Sequence, residues 1–117
     1  MAFPINKWAG SHDSAVVYFE VEPGDRLARH TDRAEEILYI VAGEALAEVG
    51  DEHGRLTAGD LAVIPAMVPH GLVNDGSETV KVVGFFSESE IISSFDEPVQ
   101  PFGIPVLNQG APAPVTA

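Results

Sequence analysis

Four side chains in this 117-residue chain, His30, Asp32, Glu36 and His70, stand at spacings that could hold one metal ion. Imidazole nitrogen and carboxylate oxygen together suit a divalent ion such as Fe, Mn, Zn or Ni. The chain has no cysteine, which excludes thiolate ligation and disulfides alike. Along a β-strand alternate side chains share a face, so His30 and Asp32 project together about 6.6 Å apart. Glu36 has the same parity, but straight strand would carry it roughly 20 Å from His30. Arg33, Ala34 and Glu35 must therefore form a bend, with Glu36 opening the next strand. Glu35 is the competitor, and neighbours on a strand point oppositely, so only one of the two glutamates faces an ion.

The elements needed to place these groups read as strands and turns almost throughout. Residues 14–21, rich in β-branched and aromatic side chains, end at the turn Pro23-Gly24. Further strands are expected over 26–32, 37–41, 44–49, 55–57, 61–64, 70–74 and 79–86, with a polar hairpin turn over Gly50–Gly54 and another over Asn74–Ser77. Short strands so closely spaced indicate a sandwich or barrel. Residues 88–95 read as irregular or a single turn. From Asp96 onward Pro98, Pro101, Pro105, Pro112 and Pro114 recur, so 96–117 reads as an extended tail, with Phe102–Leu107 covering the barrel mouth or crossing to a neighbour. The expected organisation is an N-terminal segment 1–13, a β-barrel over 14–95 and this tail.

Two ordered blocks carry the four residues. In the first, Gly24 precedes His30 by six positions, Asp32 and Glu36 follow, and Gly43 closes the block seven after Glu36. In the second, Gly59 precedes Pro65 by six, His70 comes five later and Asn74 four after that. This arrangement resembles the paired motifs of the cupin superfamily and implies an all-β fold, a cupin-type double-stranded β-helix (jelly-roll) barrel with a metal at its centre. Glycine spacing to Gly43 favours Glu36 over Glu35. Two positions depart from the family pattern. Asp32 stands where a second histidine is usual, and Met67 where the second motif has glycine. Asp32 is accordingly a fourth ligand, a partner orienting a histidine, or a solvated acid; off the metal it would be free to act as a general base. Without Asp32 the remaining His30, Glu36 and His70 would form a two-histidine, one-carboxylate triad, the set used by non-haem Fe(II) oxygenases.

Eighteen acidic against six basic residues give a net charge of −12. Such a surface disfavours nucleic acid and anionic membrane as partners. No apolar stretch approaches the roughly 20 residues of a membrane-spanning helix, and the N-terminus lacks the pattern of a signal peptide, so a cytoplasmic location is expected. Parity places Leu38 and Ile40 on the face of Glu36, and Leu72 and Asn74 on that of His70. Met67 is expected to narrow one wall, with one of Phe85 and Phe86 and one of Tyr18 and Phe19 adding aromatic surface. The expected pocket is apolar with a polar base, suited to a small apolar or aromatic molecule bearing an oxygen. The resemblance implies a metal-dependent enzyme, dioxygenase-type first, with isomerase, lyase or cyclase chemistry close behind, and a homodimer. The alternative is a non-catalytic cupin serving as a small-molecule sensor or carrier. His12 and His53 are expected at the surface.

Overall fold

A computed structural model describes residues 1–99 and 104–112. The strands are β1 (Ala2–Ile5), β2 (Ala15–Val21), β3 (Arg26–Asp32), β4 (Glu36–Ala42), β5 (Glu44–Val49), β6 (Glu52–Thr57), β7 (Leu61–Ile64), β8 (His70–Val73), β9 (Val80–Phe86), β10 (Ile92–Val99) and β11 (Ile104–Asn108). They form two antiparallel sheets, a five-stranded one in the order β1-β2-β9-β4-β7 and a six-stranded one in the order β11-β10-β3-β8-β5-β6. The fold is all-β, as expected.

Alternation builds the core. Ala15, Val17, Phe19 and Val21 of β2, Leu38 and Ile40 of β4, and Val80, Val82 and Phe86 of β9 turn inward and are buried. They meet Ala45, Ala47 and Leu72 of the six-stranded sheet. Intervening residues face out, and Phe85 is 46% exposed.

Three expectations need correction. The turn after β5 is only Gly50-Asp51, because β6 already begins at Glu52 and pairs with Val49. Residues 92–95 are strand rather than irregular, and β10 continues to Val99, past the boundary expected at Asp96. β10 lies between β3 and β11, with Ser93 opposite both Asp32 and Leu107. The alternation is concealed because its inward set, Ile91, Ser93 and Phe95, includes a buried polar residue. Residues 96–99 and 104–108 of the expected tail are thus strand. Pro105 is accommodated because β11 is an edge strand, where a missing N–H costs little. Leu107 is buried against Phe95, while Phe102 lies outside the described residues. The N-terminal segment also joins the sheet, since β1 pairs with β2.

Candidate metal centre

Three strands deliver the four candidate ligands. β3 brings His30 and Asp32, β4 brings Glu36, and β8 brings His70, all at most 5% exposed. The chain bends at Arg33-Ala34, so Glu36 opens β4 facing inward while Glu35 is exposed. His30 is directly opposite His70 across the β3–β8 pair.

A β-bulge sets the aim of His30. Between the pairs Leu27–Leu72 and His30–His70, Ala28 and Arg29 together oppose Gly71 alone. A Cβ on Gly71 would lie 2.8 Å from the Leu27 carbonyl oxygen, so this approach requires glycine. The extra residue turns Leu27 and His30, three positions apart, to one side. It also brings the Ala28 carbonyl to 2.7 Å from His30 Nδ1. The Val68 carbonyl stands 2.9 Å from His70 Nδ1 in the same way. Each contact fits a ring that donates through Nδ1–H and turns Nε2 to the centre, the orientation that metal-ligating histidines take from such partners. Phe95 stacks on His30 with centroids 4.5 Å apart.

Asp32 sits at the middle of the cluster. Its Oδ2 is 3.1 Å from His70 Nε2 and 3.6 Å from His30 Nε2, and Ser93 Oγ donates to its Oδ1 at 2.5 Å. The donor atoms of His30, Asp32 and His70 all lie within 4.8 Å of one another. Glu36 is more peripheral, with Oε1 3.4 Å from His70 Nε2. Its carboxylate lies over β9 where Gly84 leaves room: a Cβ there would collide with Glu36 Oε2 and approach Val17 Cγ1 to 2.8 Å.

The two carboxylates are driven apart electrostatically. Burial pushes the Asp32 carboxyl upward, but the two imidazoles and the Ser93 hydroxyl outweigh it and hold the group well below the usual carboxylate range. Glu36 is shifted upward by burial, against the pull of His70 and with added repulsion from Asp32. Burial opposes charge on His70, yet Asp32 and Glu36 raise it to about 10. The site is therefore built to hold positive charge. Asp32 Oδ2 and His70 Nε2 are buried 3.1 Å apart, an ion pair that meets no hydrogen-bond geometry among the described residues and leaves both atoms incompletely satisfied, a cost in a finished core. A divalent ion accepting both atoms removes that cost, so the residues fit a metal.

Not every expected pocket residue lines the adjoining space. A cavity of about 170 Å³ touches His70 and is walled by Leu38, Ala47, Leu56, Ala62, Ile64 and Leu72, with Glu48 and the exposed Glu52 and His53 around it. Leu38 and Leu72 take the expected places. Ile40 is fully buried in the core instead. Asn74 is a structural bracket: its Nδ2 donates to the Val21 and Glu78 carbonyls, and its Oδ1 accepts from Gly76 N–H. Met67 narrows no wall, because its side chain is 59% exposed. Its backbone nonetheless keeps the left-handed conformation natural to glycine, with φ of 65°, and its N–H donates to the Asp32 carbonyl at 2.8 Å. Phe86 and Phe19 turn inward, while Phe85 is exposed. His12 and His53 are exposed. Ser93, Gln109, Phe95 and Gly84 escaped the sequence reading, since no local spacing links them to the ligands.

The cupin domain family model matches residues 17–86, most of the chain, and the protein belongs to that family. No curated protein matches it in sequence. Among solved structures, it is similar to an uncharacterised conserved protein with a double-stranded β-helix domain from Klebsiella pneumoniae, with 26% identity, a TM-score of 0.68 and 75% of each chain covered. A Thermus thermophilus protein matches with 25% identity and a TM-score of 0.64, covering 75% of this chain and 83% of that one. Oxalate decarboxylase of Bacillus subtilis shares the fold at 23% identity and a TM-score of 0.70; 74% of this chain aligns with only 24% of that larger one.

Proposed function

We propose that the protein is a metal-dependent cupin enzyme acting on a small, mostly apolar molecule that carries an oxygen donor. One observation carries this reading: His30, Asp32 and His70, all buried, bring donor atoms within 4.8 Å of one another, and His70 also borders an apolar cavity. Two imidazoles and one carboxylate are the donor set of non-haem Fe(II) oxygenases, which supports dioxygenase-type chemistry ahead of isomerase, lyase or cyclase chemistry. A bound divalent ion would supply Lewis acidity and, if it is iron, redox capacity toward O₂.

The chain's own residues define the rest. Ala28 and Val68 carbonyls keep both imidazoles aimed. Asp32 suits a ligand better than a general base, because Ser93 engages Oδ1 and the imidazoles hold the carboxyl ionised. Glu36 stands outside this triad, its carboxylate beside His70 from the opposite sheet. The apolar cavity walls select apolar substrate surface. Among the described residues, those lining the cavity include no lysine or arginine to pair with a dianion, and Glu48 is already engaged by Arg29, so a neutral phenolic or carbonyl compound fits better than a dicarboxylate.

A homodimer is part of this proposal. Ile37, Tyr39, Leu61, Val63 and Phe85 are each at least 37% exposed on the outer face of the five-stranded sheet. Register makes them neighbours, with Ile37 opposite both Val63 and Phe85, and Tyr39 opposite Leu61. A contiguous apolar patch marks an interaction surface, and such a patch suits a second copy of a chain that elsewhere repels itself. Sedimentation at micromolar concentration tests the dimer. The enzymatic reading is tested by O₂ uptake and product analysis with phenolic and carbonyl compounds after loading with Fe(II) or Mn(II). Turnover supports it; tight binding of such compounds without turnover would favour the sensor or carrier.

A further inference from the structure

We infer that Ser93 and Gln109, on the C-terminal hairpin, are positioning residues of the metal centre that fix Asp32 so that Oδ2 alone is free to bind an ion. This rests on the metal-binding reading above and extends the site to a part of the chain beyond the two motif blocks. Ser93 is fully buried, and its hydroxyl donates to Asp32 Oδ1 at 2.5 Å. Gln109 Nε2 donates to the same Ser93 oxygen at 2.8 Å. A hydroxyl carries one proton. With its lone pair accepting from Gln109, that proton is committed to Asp32, so the chain Gln109 to Ser93 to Asp32 has one direction. A hydroxyl donating to an ionised carboxylate makes a charge-assisted bond, stronger than a neutral one. It occupies Oδ1 and turns Oδ2 to the imidazoles, 3.1 Å from His70 Nε2 and 3.6 Å from His30 Nε2.

Backbone contacts hold both ends. Ser93 is directly opposite Asp32 in the β10–β3 pair, and Arg33 N–H donates to the Ile92 carbonyl. Gln109 N–H donates to the Ile91 carbonyl at 2.8 Å, which places the amide beside Ser93. Groups bonded to metal-ligating carboxylates orient them, and their loss commonly weakens binding about 10–100-fold.

The test is titration of full-length wild type, Ser93→Ala and Gln109→Leu with Mn(II) by calorimetry, together with visible spectra of the Co(II)-loaded proteins. Ser93→Ala is expected to weaken Mn(II) binding about 10–100-fold and to alter the Co(II) bands, with a smaller change in the same direction for Gln109→Leu. Gln109 is only half-buried, so that variant tests the chain even if Ser93→Ala fails to fold. Wild-type affinity and an unchanged Co(II) spectrum in a folded variant would overturn the inference while leaving the metal site standing. Failure of the wild type to bind either ion would overturn the metal-binding reading, and the inference with it.

Discussion

The two sheets contribute to the centre in different ways. The six-stranded sheet supplies His30, Asp32 and His70, and each is braced: the histidines by the Ala28 and Val68 carbonyls, Asp32 by Ser93. The five-stranded sheet supplies Glu36, whose carboxylate faces His70 at 3.4 Å and lies in space left by Gly84. Braced donors are preorganised and lose little entropy on binding, whereas a donor held by available space can shift. The comparison assigns affinity to the first sheet and adaptability to the second.

The largest effect is expected from removing a braced imidazole. His70→Ala should lower Mn(II) affinity by more than the roughly 100-fold upper range for an outer partner, measured by calorimetry. His70 also dictates a pH dependence. Its pKa in the metal-free protein, about 10, exceeds the unfolded value of 6.5, so its contribution to folding is full below 6.5 and fades as pH rises through 10. Metal must displace that proton, so binding strengthens over the same interval. Thermal melts from pH 6 to 10 should show the metal-free protein losing stability while the increment gained on adding Mn(II) widens. A constant increment would count against His70 as a ligand.

On the five-stranded side, Gly84→Ala should cost about 1–3 kcal/mol of stability through the collision with Glu36 and Val17, read by denaturant melts. Its effect on metal affinity should be smaller than that of His70→Ala. The smallest change is expected at Met67. A left-handed non-glycine residue carries about 1–2 kcal/mol of strain, and glycine's greater unfolded-state entropy offsets roughly half of that. Met67→Gly should therefore stabilise the protein by less than about 1 kcal/mol and leave metal affinity unchanged, because the side chain faces solvent.

Apolar and β-branched runs between turn signals marked β2, β4, β5, β7 and β9 in the sequence, and the spacing of His30, Asp32, Glu36 and His70 required the bend that precedes Glu36. Parity identifies which residues point inward. It does not distinguish core from cavity, and so Ile40 and Asn74 were expected beside the substrate although one fills the core and the other ties a turn. β10 was hidden because Ser93, an inward polar residue, interrupts the hydrophobic pattern for the sake of Asp32, 61 positions away. The bulge at Ala28-Arg29 leaves no signature in composition, since it arises from the pairing of β3 with β8. The positive φ at Met67 shows a motif turn persisting without its usual residue.

The most direct test is elemental analysis of protein purified without added metal or chelator, comparing wild type, Asp32→Ala and Glu36→Gln. The braced-cluster account predicts about one equivalent of a transition metal in wild type, near-complete loss in Asp32→Ala and substantial retention in Glu36→Gln. Full metal content in Asp32→Ala with loss in Glu36→Gln would contradict it, placing the ion on the opposite sheet's carboxylate instead.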